Sequence, residues 1–184
     1  MQRALVDSAR QGDDEAFGAL ARMVGDSCMA IAYRILRDAD LADEATQAAL
    51  VTAWRELPAL RDPDRFEPWL HRILTRECYD LARQRRRWSA DIRLLPVPDR
   101  VEPTDILTVE DRDQIDRAFR RLPVEQRTVL VFHHYLGLSL VEVADRVGVP
   151  LGTVKSRIHL ATAAMRASVE ADARTSSMSQ EHPA

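Results

Sequence analysis

Residues 139–166, SLVEVADRVGVPLGTVKSRIHLATAAMR, decide the fold of the C-terminal part of this chain of 184 residues. Ser139 and Glu142 have the spacing of a capping box, in which the hydroxyl and the carboxylate each accept a hydrogen bond from a backbone amide at a helix start. That short helix is predicted to end at Gly148, which tolerates the left-handed backbone of a sharp turn. Pro150 suits the first turn of a following helix. The pattern therefore predicts two short helices joined by a tight turn.

The second of these helices has one apolar side, formed by Val154, Ile158 and Ala161. Its other side exposes hydroxyl, cationic and imidazole groups, which suit a helix that enters the major groove of DNA in a helix-turn-helix. The same side chains also suit an ordinary solvated helix face. The residues concerned are Thr153, Lys155, Ser156, Arg157 and His159.

Upstream of this segment, apolar residues recur every three or four positions, and no stretch alternates with period two. The chain is therefore predicted to be all-α. One long helix is expected to open at Asp13–Asp14, and a second to run from Asp40 to Pro58. A Pro-rich loop should precede a third helix with a stripe at Leu70, Leu74, Cys78 and Leu81. Two further helices are expected around 115–122 and 124–135.

Charge is segregated along the chain, although the net charge is only −3. Between Arg72 and Arg87 six arginines face two acids, a local charge of +4, and between Asp145 and Arg166 four bases face one acid, a local charge of +3. The stretch Asp91–Asp113, which contains prolines, holds seven acids and three arginines, a local charge of −4. Two basic patches therefore flank an acidic linker.

Composition excludes several classes of protein. With 46% apolar and 30% charged residues, the chain suits one moderate domain or two small ones. The longest apolar run, Cys28–Tyr33, falls far short of the roughly 18 residues of a membrane span. No signal peptide is visible, so a cytoplasmic location and no membrane insertion are expected. Cys28 and Cys78 lack metal-ligand spacing, so no metal or cofactor is predicted and both are read as core residues.

Three stretches resemble one protein family, the sigma-70-type transcription initiation factors, and especially their small extracytoplasmic-function (ECF) group. The helix-turn-helix, with GTVKSRIHLA as its most specific part, is similar to the family's fourth region. DEATQAALVTAWRELPAL and FEPWLHRILTRECYDLARQRRR, in that order, are similar to its second region. The resemblance covers roughly residues 5–170. It implies an initiation factor that binds core RNA polymerase and promoter DNA, for a stress or envelope-response regulon.

The resemblance also implies a division of the chain. Residues 1–88 would form the region 2-like domain, 89–107 the linker, and 108–170 the region 4-like helix-turn-helix domain, with 171–184 a disordered tail. The linker of the family threads toward the polymerase active-site channel, although a flexible solvated tether explains the composition here equally well.

Polymerase binding is implied for the helix around the second-region motif. Its surface would dock on the clamp helices of the largest polymerase subunit, with the flap region as a second contact. The residues implied are Glu44, Gln47, Val51, Trp54 and Arg55. Ala48 and Thr52 depart from the family's usual acid and arginine. An anti-sigma factor that masks the polymerase-binding surfaces is a further implied partner.

Recognition and melting of the promoter −10 element are implied for the third helix. An aromatic residue can stack on an unpaired base while arginines hold phosphates and an aspartate accepts from an exocyclic amine. Trp69 suits a core position equally well, and Arg76 stands where the family often has Asn. The candidates are Trp69, Arg72, Arg76, Asp80, Arg83, Arg85, Arg86 and Arg87.

The −35 element is expected to meet the second helix of the helix-turn-helix. Lys155, Ser156 and Arg157 match the family's recognition positions, with Thr153 near the backbone and His159 on the same exposed side. Arginine and lysine also serve as plain phosphate contacts, so the residues that read bases stay open.

Three other functions compete with this interpretation. A dimeric activator with a sensor domain would also carry a helix-turn-helix, and an adaptor would bind protein without DNA. An enzyme would have to use His71, His133–His134, Cys28 or Cys78, and no common catalytic motif accompanies them. The chain is therefore predicted not to be an enzyme.

Overall fold

A computed structural model describes the backbone of residues 2–91 and 109–180 and the side chains of residues 2–87 and 114–172. These residues form α-helices and short 3₁₀ or π-helical turns, without a β-strand in the described ranges. The all-α prediction is therefore confirmed. The helices are α1 (Gln2–Arg10), α2 (Asp14–Leu36), α3 (Ala39–Glu56), α4 (Phe66–Asp91), α5 (Val109–Arg120), α6 (Val124–Leu130), α7 (Leu140–Val147) and α8 (Leu151–Gln180).

Helices α2 and α3 begin at aspartate caps. Asp13 Oδ1 accepts hydrogen bonds from the amides of Glu15 and Ala16, both at 3.0 Å, and Asp38 Oδ1 accepts from Leu41 at the same distance. Such caps satisfy amides that have no partner within the helix, which sets the helix start at these residues. The predicted opening at Asp13–Asp14 is confirmed.

The bundle of α2, α3 and α4 packs closely because α3 presents small residues. Ala42, Ala45, Ala49 and Ala53 are all fully buried and lie three or four positions apart on one side of α3. A face without bulky side chains lets neighbouring helices approach, and α3 accordingly packs against both α2 and α4. The opposite side of α3 is left to solvent.

The helix-turn-helix forms as predicted. Ser139 and Glu142 make the capping box at the start of α7, and Gly148 ends it in a left-handed conformation with φ +75°. Val154 and Ala161 of α8 are fully buried. The helix expected over 124–135 consists of α6 and a π-helical turn at Val131–Tyr135, in which the amide of Leu136 bonds to the carbonyl of Val131.

Four boundaries differ from the sequence-based expectation. Helix α1 was not predicted; Val6 and Ala9 bury its apolar side. Helix α4 begins at Phe66, inside the expected loop, because Pro68 stands in the first turn, where the amides have no helical partner. Helix α4 ends at Asp91, so the boundary drawn after 88 falls inside it. Residues 92–108, which include the rest of the linker predicted over 89–107, lie outside the described residues.

The fourth difference is the tail. Helix α8 continues to Gln180, so a disordered segment from 171 is wrong for 171–180, and 181–184 lie outside the described residues. Helix α5 packs along α8 and holds it there: Gln114 donates to the carbonyl of Val169 at 2.7 Å, and Arg117 and Arg121 both pair with Asp172 at 3.5 Å. Polar composition alone suggested a frayed end, whereas these contacts hold α8 as far as Asp172.

The two predicted domains pack on each other. One contiguous apolar cluster contains Leu70 and Leu74 of α4 together with Phe132, Val143 and Val147 of the C-terminal part. Helix α4 contacts both α6 and α7. The helix-turn-helix therefore lies against the helix that carries the first basic patch.

Candidate nucleic-acid and protein interfaces

One face of α4 carries a line of arginines. Arg72, Arg76, Arg83 and Arg87, hereafter the arginine stripe, are spaced by four or seven residues, so they share one side of the helix. All four are exposed, on the side away from the buried residues Leu70, Leu74 and Cys78. Trp69 and Asp80 have the same register. The structure thus brings six of the eight predicted −10 candidates onto one surface.

The other two candidates lie elsewhere. Arg85 forms an ion pair with Asp38, the residue that caps α3. Arg86 is exposed, and its positive charge, after burial and the charge of Arg37, helps to lower the pKa of Arg127 of α6 to about 10. Arg85 therefore has a partner within the fold, and neither residue has the spacing of the stripe.

Trp69 and Asp80 have partners within the chain. The ring of Trp69 is half-buried, and its centroid lies 6.0 Å from that of Phe66 in a tilted arrangement. Part of the indole thus packs on the core, while its remaining surface borders the arginine stripe. Asp80 pairs with Arg83 at 3.5 Å, an exposed contact that solvent weakens. Both side chains retain accessible surface for a ligand.

The first turns of α8 carry the predicted −35 candidates. Lys155 and His159 are exposed, and Ser156 is exposed with its hydroxyl donating to the carbonyl of Thr153 at 3.0 Å. Arg157 differs from them, because it is half-buried and its Nη1 atom is out of solvent without a hydrogen-bond partner among the described residues. The recognition surface is therefore only partly open.

A third surface lies on the outer side of α3. Val51 and Trp54 are 46% and 49% exposed, large fractions for apolar side chains that neighbour each other along a helix. Glu44, Gln47 and Arg55 surround them and are also exposed. An apolar patch with a polar rim is typical of a protein-binding surface. We call these five residues the α3 face.

Weak contacts within the bundle orient the α3 face. The indole Nε1 of Trp54 donates to Asp14 Oδ1 at 3.1 Å, and the amide of Gln47 donates to Asp43 Oδ2 at 2.7 Å. Both contacts are exposed, so a partner protein can replace them at little cost. The structure thus keeps all five polymerase-binding candidates accessible together.

Sequence analysis missed three residues that join α4 to the helix-turn-helix. Arg65 Nη2 donates to Asp145 Oδ2 at 2.7 Å, and Arg72 Nη2 donates to the backbone carbonyl of Asp145 at 2.8 Å. Arg146 Nη1 lies 2.8 Å from Nδ1 of His71; because a guanidinium can only donate, this imidazole nitrogen accepts and carries no proton. Residues 73 to 80 positions apart give no local signal that they will meet.

Cys28, Cys78 and His133, which an enzyme could use, have structural roles in this fold. Burial, with a smaller contribution from the charge of Glu67, raises the pKa of Cys28 to about 11. Burial, with a smaller contribution from the charge of Glu77, raises the pKa of Cys78 to about 12. A nucleophilic thiol needs the opposite shift. Nδ1 of His133 lies 2.7 Å from the carbonyl of Leu138, so it carries a proton and caps the turn. Both cysteines are free and buried, as predicted for core residues.

Metal-ligand clusters and membrane-spanning helices are both absent from the described ranges. The described ranges contain no group of three or more His, Cys, Asp or Glu side chains that is placed to hold a metal ion. Among the helices of those ranges, none combines the length and the apolar character that crossing a bilayer requires.

The chain matches two family models, one over the N-terminal helices and one over the helix-turn-helix. Residues 20–88, which hold α3 and most of α4, match the model of sigma-70 region 2. Residues 112–165, which hold the helix-turn-helix, match the model of sigma-70 region 4.

Curated relatives agree with these matches. The chain is 36% identical to the ECF RNA polymerase sigma factor SigM of Mycobacterium tuberculosis over 148 residues, which cover 79% of this chain and 73% of SigM. It is 28% identical to the ECF sigma factor SigW of Bacillus subtilis, over 90% of this chain and 95% of SigW.

Solved structures share the fold. The structure of CnrH in complex with the cytosolic domain of CnrY matches with a TM-score of 0.66 and 27% identity, over 93% of this chain and 98% of that one. The sigma factor RpoE of Bartonella quintana, solved with the anti-sigma factor NepR, matches with a TM-score of 0.68 and 24% identity, over 85% and 98%. Together with the family models and SigM, these likenesses show that the chain belongs to the ECF group of the sigma-70 family of RNA polymerase sigma factors.

Proposed function

We propose that this chain binds core RNA polymerase through the α3 face, opens the −10 element with α4, and reads the −35 element with the first turns of α8. The observation that carries the proposal is the presence of regions 2 and 4 in order on one chain, each with an exposed surface of suitable chemistry. The polymerase performs the chemistry of RNA synthesis, so the chain acts as an initiation factor and not as an enzyme.

The arginine stripe supplies phosphate contacts at the −10 element. Guanidinium groups bind phosphate oxygens in a bidentate manner and fix the position of a strand without reading its sequence. Trp69, at the edge of the stripe, offers a surface on which an unpaired base can stack, for about 1–3 kcal/mol per base. Asp80 can accept a hydrogen bond from an exocyclic amine once Arg83 turns to a phosphate. Melting is then driven by binding energy.

Lys155, Ser156 and Arg157 supply the −35 contacts. They occupy the first turns of α8, and helix-turn-helix proteins use that end of the second helix to reach base edges. Each well-placed bidentate contact discriminates by about 1–3 kcal/mol between bases. Thr153 and His159 flank them and suit phosphate contacts.

Regulation by a protein partner extends the proposal. CnrH was solved with the cytosolic domain of CnrY bound to it, and we extend protein capture to this chain in the form of an anti-sigma factor. Such a partner acts where the polymerase acts, in the cytoplasm, and would release the factor for a stress or envelope-response regulon. Purification of the chain from its native cells should recover this partner under non-inducing conditions.

The test is run-off transcription by core polymerase on fragmented genomic DNA of the source organism, with and without the chain, followed by sequencing of RNA 5′ ends. We expect discrete starts that depend on the chain and share two upstream motifs. The absence of such starts from a folded, inhibitor-free sample would contradict the proposal. Binding assays with DNA and with polymerase would then separate the activator and adaptor alternatives.

A further inference from the structure

Lys155 is the single lysine of this chain, which holds 26 lysines and arginines in all. The arginine stripe and the α3 face therefore contain no side-chain amine. A guanidinium stays protonated at neutral pH, whereas the amine of a lysine can give up its proton to a base and then react as a nucleophile. Chemistry that is directed at lysine side chains thus reaches this sequence at one position only, within the proposed −35 surface.

The side chain of Lys155 is open to a reagent from solvent. It is exposed in the first turns of α8, and it has no hydrogen bond or ion pair within the part of the chain that the structure describes. Gly152 lies one turn earlier, and a Cβ added there would meet open space. Side chains of a helix lean toward its N-terminus, so the amine of Lys155 extends over this uncrowded turn.

An imidazole lies one turn after Lys155. His159 is exposed and follows by four positions, so the two side chains share one side of α8. The tilt of helical side chains directs the ring of His159 back toward Lys155. Histidine is the side chain that most often acts as a proton acceptor near neutral pH. Lys155 therefore has a base of suitable chemistry beside it on the same helix.

An acyl phosphate supplies the electrophile for a balanced transfer to this amine. His159 takes one proton from the ammonium of Lys155, and the amine nitrogen attacks the carbonyl carbon of the acyl group. The bond from that carbon to the phosphate oxygen breaks, and inorganic phosphate leaves with the electron pair and with the second proton of the nitrogen. The product is a neutral amide with a single N–H donor, so position 155 loses its positive charge.

The loss of this charge acts on one surface of the molecule. A lysine that neutralises a phosphate or donates to a base edge loses that contact when it becomes an amide. The α3 face and the arginine stripe keep their chemistry, because neither contains an amine that can be acylated. Acylation therefore separates the reading of the −35 element from the binding of polymerase.

We propose that Lys155 is an acylation site, with His159 as the proton acceptor, and that its acylation switches off recognition of the −35 element while polymerase binding continues. The effect on recognition rests on the proposed function, which assigns the DNA contact to α8. The acylation itself depends only on the two side chains and on the acyl phosphate.

The first test measures the rate of acylation. The chain is incubated with acetyl phosphate, and acetylated peptides are quantified by mass spectrometry, which separates Lys155 from the α-amine of the chain. The control amine is the lysine of the double variant Lys155→Arg with Ala164→Lys. Position 164 is exposed on the same helix and has no charged or imidazole side chain three or four positions away. We expect Lys155 to react roughly three- to tenfold faster than the control amine, and His159→Gln to remove the difference.

The second test measures promoter binding. The acetylated chain, freed of acetyl phosphate, is combined with core polymerase and a promoter fragment taken from the mapped start sites. We expect a roughly tenfold loss of promoter affinity, with a salt dependence that is weaker by about one released counterion. Affinity for core polymerase should not change. Lys155→Arg receives the same treatment and is compared with its own untreated sample, so acetylation of the α-amine and the substitution itself are both controlled.

Four results would overturn the inference. Equal rates at Lys155 and at the control amine, or an unchanged rate in His159→Gln, would show that α8 provides no acylation site beyond an exposed amine. Rapid acetylation with unchanged promoter affinity would remove the switch. An equal loss of affinity in treated Lys155→Arg would assign the effect to the α-amine. If the untreated chain and polymerase do not bind the promoter, the proposed function fails and the switch with it, whereas the rates still decide whether the site exists.

Discussion

The α3 face and the arginine stripe belong to the same helical bundle, but the fold exposes them differently. Val51 and Trp54 are about half exposed with only weak polar contacts beside them, whereas Arg72 is bonded to the helix-turn-helix. The surface proposed for polymerase is therefore open in this structure, and the surface proposed for DNA is partly occupied by the chain itself. This difference favours an order in which polymerase is bound before promoter DNA.

The largest effect is expected from substitutions in the α3 face. Val51→Glu combined with Trp54→Ala removes the apolar centre of the α3 face and introduces a buried charge at the interface. Central aromatic and apolar contacts commonly contribute about 2–4 kcal/mol, so affinity for core polymerase should fall by roughly 100-fold in a titration. Binding to −35 DNA should not change.

A control separates this effect from general damage to the bundle. Met23→Glu introduces the same charge at an exposed apolar residue of α2, outside the α3 face. It should leave polymerase affinity within about twofold of wild type. An equal loss in both variants would mean that the α3 face has no special role.

The next largest effect is expected at the −35 recognition surface of α8. Lys155→Ala with Arg157→Ala should lower −35-dependent transcription by about 10- to 100-fold, since each base contact contributes about 1–3 kcal/mol of discrimination. Polymerase affinity should be unaffected. Arg166→Ala, which removes a charge from an exposed position farther along α8, should have a much smaller effect. A parallel loss of polymerase binding would assign these residues another task.

The contact between α4 and α7 should depend on pH, because it contains a histidine, His71, whose Nδ1 accepts from Arg146. Burial first, and then the positive charge of Arg146, lower the pKa of His71 from 6.5 to about 4. Glu67 of the same helix and Cys28 of α2 line the adjacent cavity. The packing of α4 on α7 holds His71 neutral. The stability that this packing gains from the neutral imidazole is therefore complete above about pH 6.5 and is lost as the pH falls toward 4.

At pH 5 this contact loses roughly 2 kcal/mol of stability, taking the ordinary pKa of 6.5 for His71 once α4 and α7 have parted. The radius of gyration should therefore increase between pH 7.5 and pH 5 in the wild type. His71→Gln cannot gain this proton, so its radius should change less over the same range. An identical pH dependence in both chains would assign the transition to other groups.

The smallest effect lies at the rim of the α3 face. Glu44→Ala with Gln47→Ala should weaken polymerase binding by about threefold, because exposed polar contacts contribute only about 0.2–1 kcal/mol each. Fluorescence titration against core polymerase is sufficient to measure it. Unchanged affinity would move the polar part of the interface away from this end of α3.

Local signals explain which parts of this structure the sequence could predict. The capping box of Ser139 and Glu142 and the left-handed Gly148 depend on neighbours within a few residues, so their pattern alone predicted α7 and its turn. The buried stripe of α4 follows from helical periodicity in the same way. The candidate residues of both DNA surfaces came from the resemblance to the second and fourth regions of the sigma-70 family, and the two helices only gave those residues a place in the fold.

Long-range contacts explain what could not be predicted. Arg85 has the same type and exposure as its neighbours, and only the fold shows that it pairs with Asp38. Helix α8 extends past 170 because α5 lies along it. The contact between Arg65 and Asp145 spans 80 positions of sequence, and neither side chain can be told from an ordinary solvated charge in the sequence.

The most direct test of the account is equilibrium binding of a promoter fragment, taken from the mapped start sites, by the chain alone, by core polymerase alone and by the two together at one salt concentration. The account predicts that only the mixture distinguishes the promoter from a scrambled duplex. Equal promoter selectivity by the chain alone would contradict it, because the packing of α4 on the helix-turn-helix would then leave both DNA surfaces free.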